Sequence, residues 1–192
     1  MESLSKVFAA LEFAAKRHIG QTRKGTMRSP YINHPISVMA TLSQHGENNE
    51  DLLAAAALHD VIEDTAKDKE EIEKLSATII EIFGENVLNI VLEVSDDKTL
   101  SYQKRKHLQI INTPFLSNEA KKLKIADKSC NIKDLISDPP SDWSIERKLS
   151  YLEWAMKVID GARGISSALE QHFESVVQEA YNKLTNQSNE SK

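Results

Sequence analysis

The sequence predicts an all-α protein, a compact bundle of about eight to ten helices around one core. Turn-forming residues are few, with 6 Gly and 5 Pro in 192 residues, whereas sandwiches and barrels need many turns. Along most of the chain, apolar residues recur at three- and four-residue steps, the spacing of one helix face. A hydrophobic fraction of 40% at this length is sufficient for one domain with its own core.

The predicted elements begin with a helix over residues 4–18, whose apolar side chains form one stripe. Residues 20–33 are predicted as a loop. A second helix starts at His34 and Pro35, because proline fits a first helical turn, where its missing N–H costs nothing. Gly46 ends this helix, since glycine commonly follows the last helical turn.

Glycine, proline and a capping serine delimit the later helices. Gly84 separates two predicted helices, and the Ser144 hydroxyl is placed to cap another. The helices predicted after residue 46 cover residues 50–63, 68–83, 85–94, 101–112, 117–136, Ile145 to about Ile159, and 165–184. Residues 1–184 are predicted as a single domain and residues 185–192 as a disordered tail, because the tail is polar and aperiodic.

Composition excludes several classes of protein. No stretch approaches the roughly 18 apolar residues of a membrane span, and a net charge of −5 argues against general nucleic-acid binding. The single cysteine, Cys130, excludes an internal disulfide framework and a multi-cysteine zinc site. We therefore predict a cytoplasmic protein that binds neither nucleic acid nor membrane, and the sequence leaves its oligomeric state open.

Ionisable residues concentrate where the predicted third helix ends. Four follow an alanine- and leucine-rich run: His59, Asp60, Glu63 and Asp64. Burying carboxylates without partners is costly, so a divalent cation is expected there, although Glu63 and Asp64 taken alone would fit a solvated helix end. A metal site needs further ligands, for which His34 and Asp127 are candidates, although a helix-capping group and a structural salt bridge are their ordinary alternatives. Asn131, one turn after Asp127, is placed either to serve that site or to bond a neighbouring backbone group.

The predicted loop before His34 carries positive charge in a protein that is net negative. Between Glu12 and Glu47 no acidic residue occurs, but five basic residues do: Lys16, Arg17, Arg23, Lys24 and Arg28. If His34 binds a metal, the loop lies at the rim of the site, where arginine and lysine suit a phosphorylated substrate. A solubilising surface loop is the ordinary alternative. Gly20 and Gly25 would permit the loop to close over a substrate.

Four segments together resemble the hydrolase domain of the RelA/SpoT proteins, which belongs to the HD-domain phosphohydrolases. They are Arg23-Lys24, Pro30 to Pro35, Ala57 to Thr65, and Lys124 to Lys128 with Asn131. Two further segments are similar to the stand-alone small alarmone hydrolases, the SpoT-like enzymes related to the metazoan one: Asp96 to Leu100 and Tyr151 to Ala155. The resemblance covers nearly the whole chain.

The resemblance implies an all-α HD fold and manganese-dependent removal of the 3′-pyrophosphate from (p)ppGpp, giving GDP or GTP and pyrophosphate. It implies that one Mn²⁺ is held by four residues: His34, His59, Asp60 and Asp127. Glu63 and Asp64 would position and deprotonate the attacking water. The nucleotide substrate would be contacted by Arg23, Lys24, Asn131, Lys98, Arg147 and Tyr151.

The residue types agree with this chemistry, but they leave alternatives open. Two imidazoles and two carboxylates suit Mn²⁺ or Fe²⁺, and such an ion lowers the pKa of bound water. The same site would serve an enzyme acting on NADPH or a nucleoside monophosphate. A module that binds nucleotides without hydrolysing them is a second alternative, against which Glu63 and Asp64 argue, because a sensor needs no water-activating pair. A purely structural helical protein would leave the buried charges unexplained.

Overall fold

A computed structural model describes residues 3–190, which form ten α-helices and one 3₁₀ turn. The helices are α1 (Ser3–Arg17), α2 (Asn33–Gln44), α3 (Glu50–Leu58), α4 (Val61–Thr65), α5 (Lys69–Phe83), α6 (Glu85–Val94), α7 (Tyr102–Asn112), α8 (Asn118–Ser137), α9 (Ile145–Asp160) and α10 (Ser167–Glu190). The β pairing in this part of the chain is a single isolated bridge between Thr22 and Pro30. The predicted all-α class is confirmed.

Helix α3 lies at the centre of the bundle and contacts α1, α2, α6 and α8. Its residues from Ala54 to Leu58 are all fully buried, and four of these five are alanines. Small side chains on a central helix allow its neighbours to pack closely on several sides. The second central helix, α8, is different, because it buries polar side chains as well: Lys124, Lys128 and Ser129. These two helices carry most of the candidate site.

The helix ends follow the local signals in the sequence. Asn49 caps α3 by accepting the backbone N–H groups of Asp51 and Leu52, as an N-terminal asparagine does. Ser144 caps α9 by accepting the N–H of Arg147, as predicted. Gly84 joins α5 to α6 with φ of 95°, a left-handed conformation that favours glycine.

The predicted helix over residues 50–63 is wrong in one respect, because the structure divides it at His59 and Asp60 into α3 and α4. Asp60 has φ of −98° and ψ of −3°, away from the regular α-helical values. The break turns both side chains toward one site, although the apolar pattern continues across it.

The last helix is longer than predicted. Residues 185–190, which we predicted as part of a disordered tail, continue α10 as far as Glu190. No glycine or proline interrupts this segment, and its start is anchored by the buried side chain of Leu184. The predicted tail residues 191 and 192 lie outside the described residues. Among residues 3–190, no helix combines the length and the apolar character that crossing a membrane requires.

Candidate active site

Four side chains from three parts of the fold converge in a buried chamber. His34 comes from the first turn of α2, His59 and Asp60 from the turn between α3 and α4, and Asp127 from the middle of α8. Nε2 of His34 lies 3.1 Å from Oδ1 of Asp127 and 3.9 Å from Oδ2 of Asp60. Nε2 of His59 lies 3.0 Å from Oδ2 of Asp60 and 3.9 Å from Oδ1 of Asp127. The structure therefore brings the four predicted metal ligands together.

The spacing and chemistry of these atoms fit a metal ion. Bonds of about 2.0–2.2 Å place neighbouring ligand atoms about 3 Å apart and opposite ones about 4.3 Å apart. Nδ1 of His59 lies 2.8 Å from the Ala56 carbonyl oxygen, while its buried Nε2 has no hydrogen-bond partner among the described residues. A ring held in this way directs its Nε2 into the chamber, where the nitrogen can bind a metal once its proton is displaced. His34, His59 and Asp127 in particular form a group that could bind a metal.

The pKa shifts of the chamber residues indicate that its carboxylates would be stabilised by an additional positive charge. Burial lowers the pKa of His34. Burial also opposes the charged form of His59, but Asp60 and Asp127 outweigh it and raise the pKa of His59 to about 9. The pKa of Asp127 is held well below its usual range, because Lys128 and the histidines outweigh the effect of burial. Without a cation, a proton on His59 balances part of the carboxylate charge.

A second layer of side chains orients the two carboxylates. The Tyr31 hydroxyl donates to Oδ2 of Asp60 at 2.5 Å. Nζ of Lys128 lies 2.8 Å from Oδ2 of Asp127, and Nδ2 of Asn131 donates to Oδ1 of the same carboxylate at 2.5 Å. Asn131 lies where the sequence predicted, beside Asp127. Tyr31 and Lys128 were assigned no role, although both fall within the segments that carry the family resemblance.

Glu63 and Asp64 occupy different positions. Glu63 lines the metal chamber, and its side chain is only 18% exposed. Burial raises the pKa of Glu63 to about 7, although the backbone N–H of Asp96, 2.9 Å away, favours the ionised form. Asp64 lines the wider cleft outside the chamber and pairs with Lys98. The geometry therefore favours Glu63 over Asp64 for proton transfer near the metal ligands.

Two groups that hold Glu63 were missed by sequence reasoning. Asp96 provides the backbone N–H, and Nη1 of Arg105 lies 3.8 Å from Oε1 of Glu63. Both lie more than 30 residues away from Glu63 along the chain. Their only signal was the Asp96 to Leu100 segment, since Arg105 belongs to a basic run on α7 that is typical of an exposed surface.

A cleft of about 620 Å³ opens beside the chamber and shares walls with it. Four of the predicted substrate contacts line the cleft: Arg23, Lys24, Asn131 and Tyr151. The other two, Lys98 and Arg147, do not line it. Each contacts a residue that does, because Lys98 pairs with Asp64 and the Arg147 guanidinium lies 4.3 Å from the centre of the Trp143 ring.

Arg23 is fixed at the junction of the cleft and the chamber. Its Nε and Nη2 donate to Oδ2 of Asp134 at 3.0 and 2.7 Å, and Nη2 also donates to Oδ1 of Asn131 at 2.7 Å. Its guanidinium lies 5.6 Å from the centre of the Tyr31 ring. A guanidinium held by two partners presents its remaining N–H groups in a defined direction, which suits a phosphate oxygen.

The basic loop is anchored to the end of α8. Asp138 accepts hydrogen bonds from the Thr26 hydroxyl at 2.7 Å and from the Met27 N–H at 3.1 Å. A β-carbon on Gly25 would lie 2.0 Å from Oδ2 of Asp138. We expected Gly25 to allow loop movement, but in this structure its lack of a side chain is required for close packing.

Together, the helical fold and the paired histidine and aspartate donors, beside a cleft that Arg23 and Lys24 line, define the class of protein. The family described as the HD domain matches residues 10–148 of this chain. The chain therefore belongs to the HD-domain family, as the resemblance of its motifs implied.

Relatives of known identity indicate which members of the HD-domain family this chain resembles. The chain is 44% identical over 165 residues to "Guanosine-3′,5′-bis(diphosphate) 3′-pyrophosphohydrolase MESH1" of Xenopus tropicalis, covering 85% of this chain and 88% of that protein. It is 40% identical over 168 residues to the Homo sapiens protein of the same name, covering 87% and 90%. A solved structure described as a metazoan ortholog of SpoT that hydrolyzes ppGpp matches with a TM-score of 0.83 and 39% identity, covering 91% of this chain and 95% of that one. The predicted resemblance to the RelA/SpoT-type and metazoan hydrolases is confirmed.

Proposed function

We propose that this protein is a metal-dependent hydrolase that removes the 3′-pyrophosphate of (p)ppGpp. The observation that carries the proposal is the position of Glu63 in the same small chamber as His34, His59, Asp60 and Asp127. The relatives named as guanosine-3′,5′-bis(diphosphate) 3′-pyrophosphohydrolases, which are 38–44% identical to this chain, support the same reaction. The enzyme class predicted from the sequence agrees with these names.

The donor set also supports a choice of metal. Two imidazole nitrogens and two carboxylate oxygens, without a thiolate, suit Mn²⁺ or Fe²⁺, and Cys130 is a buried cysteine whose sulfur lies against Thr41. We propose one Mn²⁺ held by His34, His59, Asp60 and Asp127. When bound, a divalent cation supplies Lewis acidity, which favours ionisation of water and neutralises charge on a phosphate group.

The chain's own residues transfer the proton and hold the group that transfers it. In the reaction, the oxygen of water bonds to the phosphorus next to the ribose, and the bond from that phosphorus to the ribose 3′ oxygen breaks. Glu63 takes a proton from the water and releases it toward the 3′ oxygen, for which a pKa of about 7 is suitable. Arg105 and the Asp96 N–H hold the Glu63 carboxylate in place.

The cleft is assigned to the nucleoside end of the substrate. It is larger than the metal chamber, at about 620 Å³ against about 150 Å³, and it carries Tyr151 and Trp143 on its wall. Aromatic faces of this kind stack on nucleobases. Arg23 lines both spaces, so its guanidinium is placed to bind a phosphate group of a nucleotide that extends from one to the other.

The test is pyrophosphate release from ppGpp by the purified protein, measured with Mn²⁺, with a chelator, and with an Asp60→Ala variant. Metal-dependent release that is lost in the variant supports the proposal. No release from Mn²⁺-loaded wild-type protein would overturn the substrate assignment. A parallel assay of phosphate release from NADPH tests the alternative substrate, and tight binding of intact ppGpp after long incubation would instead indicate a sensor.

A further inference from the structure

Lys124 is a buried cation that lacks a partner in the described part of the chain. It lies on α8, one turn before Asp127, and is only 5% exposed. No carboxylate of the described residues lies within 4.0 Å of its ammonium, and none of these residues accepts a hydrogen bond from it, although the charges of Asp127, Asp96 and Glu63 favour its protonated form. Lys128, one turn later, is equally buried but pairs with Asp127 at 2.8 Å. Burial outweighs these carboxylate charges and lowers the pKa of Lys124 to about 8, so a ligand that contacted the ammonium directly would stabilise its charged form.

The Lys124 side chain faces two cavities. The first is the metal chamber of about 150 Å³, and the second is an adjoining cavity of about 180 Å³. Four residues form the wall that the two cavities share: Val94, Asp96, Gln109 and Lys124. In the second cavity, the buried Nε of Arg105 and Oε1 of Gln109 also lack hydrogen-bond partners among the described residues. The wall of the chamber farther from the cleft therefore carries polar atoms that lack hydrogen-bond partners among the described residues.

The charges around the chamber indicate what kind of ligand Lys124 meets. The chamber is lined by three cationic side chains, Arg23, Lys124 and Lys128, and by four acidic ones, Asp60, Glu63, Asp96 and Asp127. A divalent cation would reverse this balance and make the chamber net positive. An anion is then the species that a buried ammonium attracts most strongly, since the interaction is strengthened by the low local dielectric. The chamber is too small for a nucleoside and suits a phosphate group.

We propose that Lys124 is a further substrate-contacting residue, whose ammonium binds the pyrophosphoryl group of the nucleotide on the side of the metal chamber opposite the cleft. The proposal rests on the proposed function and assigns the pyrophosphoryl end of the substrate to Lys124. The nucleoside lies in the wide cleft, the phosphorus under attack lies beside Glu63, and the far phosphate reaches Lys124. Lys124 thereby stabilises the negative charge of the pyrophosphoryl group while water attacks it and the ribose 3′ oxygen leaves. No bond to Lys124 forms or breaks.

The test is the affinity of Mn²⁺-loaded protein for inorganic pyrophosphate, measured by calorimetry. Lys124→Met keeps the length of the side chain and removes its charge, and Lys124→Gln serves if the first variant does not fold. Lys133→Met is the matched control, because Lys133 is an exposed lysine on the same helix. We expect the dissociation constant for pyrophosphate to rise at least tenfold in Lys124→Met, to be largely restored in Lys124→Arg, and to be unchanged in Lys133→Met.

A second readout separates binding from a structural role. If Lys124 only stabilised the fold, its replacement would lower the melting temperature of the metal-free protein and leave pyrophosphate affinity unchanged. If the proposal is right, the melting temperature of metal-free Lys124→Met is equal to or above that of wild type, because an unpaired buried charge is gone. Pyrophosphate affinity within twofold of wild type in Lys124→Met would overturn the proposal.

The proposed function and this inference fail in different ways. Absence of pyrophosphate release from ppGpp by the wild type would overturn the substrate assignment, even if Lys124 proved to bind inorganic pyrophosphate. Release from ppGpp by a wild type whose pyrophosphate affinity does not depend on Lys124 would leave the function standing and remove Lys124 from the site.

Discussion

Tyr31 donates its phenolic hydroxyl to Oδ2 of Asp60 at 2.5 Å, and that same oxygen lies 3.0 Å from Nε2 of His59. Tyr31 is therefore part of the candidate metal site although it is not one of the proposed ligands. Burial, reinforced by Asp60, raises the pKa of Tyr31 above its usual range, so the phenol remains a proton donor at all ordinary pH values. A hydrogen bond of this kind fixes the direction in which the carboxylate lone pairs point.

The first prediction concerns that hydrogen bond. Tyr31→Phe should weaken Mn²⁺ binding about 10–100-fold, the usual loss when an outer partner of a metal ligand is removed. The substitution keeps the aromatic ring that packs on His18 at 4.7 Å, so the fold should be little affected. Calorimetric titration with Mn²⁺ measures the effect. Tyr181→Phe, on α10, is the control, and equal affinities for both variants would show that the hydroxyl does not orient Asp60.

The second prediction concerns the proposed ligands themselves. His59→Ala and Asp60→Ala should each abolish Mn²⁺ binding and turnover, because each removes a donor from a four-donor set. Metal content after dialysis and pyrophosphate release from ppGpp provide the two measurements. Asp160→Ala, an exposed carboxylate at the end of α9, should leave both unchanged. A stoichiometric ion retained by Asp60→Ala would exclude Asp60 as a ligand.

The third prediction concerns Glu63, whose replacement should lower the rate of the reaction without affecting metal binding. Glu63→Gln should keep Mn²⁺ and lower kcat about 10²–10⁴-fold, the usual contribution of a general base. The reason is that Glu63 lines the chamber, but its carboxylate, unlike those of Asp60 and Asp127, lies within 4.0 Å of neither His34 nor His59. Steady-state kinetics and metal content should be measured on the same preparation. A kcat near the wild-type value would assign the proton transfer to another group, with Asp64 the next to test.

The same variant has a stability signature that depends on pH. Burial raises the pKa of Glu63 from 4.5 to about 7, so ionisation of this group destabilises the fold. The penalty is absent below about pH 4.5, grows as pH rises, and is complete above about pH 7. Metal-free Glu63→Gln should therefore be more stable than wild type at pH 8, by up to roughly 3 kcal/mol, and equal to it at pH 4. Denaturant unfolding measures this, with exposed Glu81→Gln as control.

The fourth prediction links metal affinity to pH through His59. Burial opposes its charged form, but Asp60 and Asp127 prevail and raise its pKa to about 9, so the ring is protonated at neutral pH. Because a metal binds only the neutral ring, binding must displace this proton. The affinity for Mn²⁺ should rise about tenfold per pH unit between pH 7 and pH 8. Calorimetry in two buffers of different ionisation enthalpy should show one proton released, and a flat pH profile would contradict it.

The sequence predicts the helices well because their signals are local. Gly84 and the Ser144 cap act on the turns next to them, and both predictions are confirmed. The break at His59 and Asp60 was missed because no local signal marks it. The apolar pattern runs on into Val61 and Ile62, and no glycine or proline lies between residues 50 and 66.

In the candidate site, too, some features could be predicted from the sequence and others could not. Residue types pointed to His59 and Asp60, and the family resemblance added His34 and Asp127 to the proposed metal ligands. Their supporting contacts join distant segments, such as Arg23 with Asp134 and Glu63 with Asp96, and depend on how α8 and α4 face one another. Lys124 falls within the segment Lys124 to Lys128 that carries the family resemblance, but its residue type does not distinguish it from Lys133, the exposed lysine of the same helix, because burial on α8 is decided by its neighbours.

The fifth prediction concerns the basic loop and its anchor. In Gly25→Ala, the new β-carbon would lie 2.0 Å from Oδ2 and 2.4 Å from the carbonyl oxygen of Asp138. Contact with a backbone oxygen cannot be relieved by side-chain rotation alone, so the loop that carries Arg23 and Lys24 must move. The metal ligands lie on other elements and should be unaffected. We therefore expect KM for ppGpp to rise about tenfold, since small displacements of positioning groups are costly, with Mn²⁺ affinity unchanged.

Gly164→Ala is the matched control, because it introduces strain of a different kind away from the cleft. Gly164 has φ of 87° and open space around its α-carbon, so an alanine there strains the backbone without a clash. This variant should lose thermal stability and keep the wild-type KM, whereas Gly25→Ala should change KM by more than its loss of stability explains. If both variants changed KM equally, or if neither did, the loop would not position the substrate. The position of Arg23 would then depend only on its hydrogen bonds to Asp134 and Asn131.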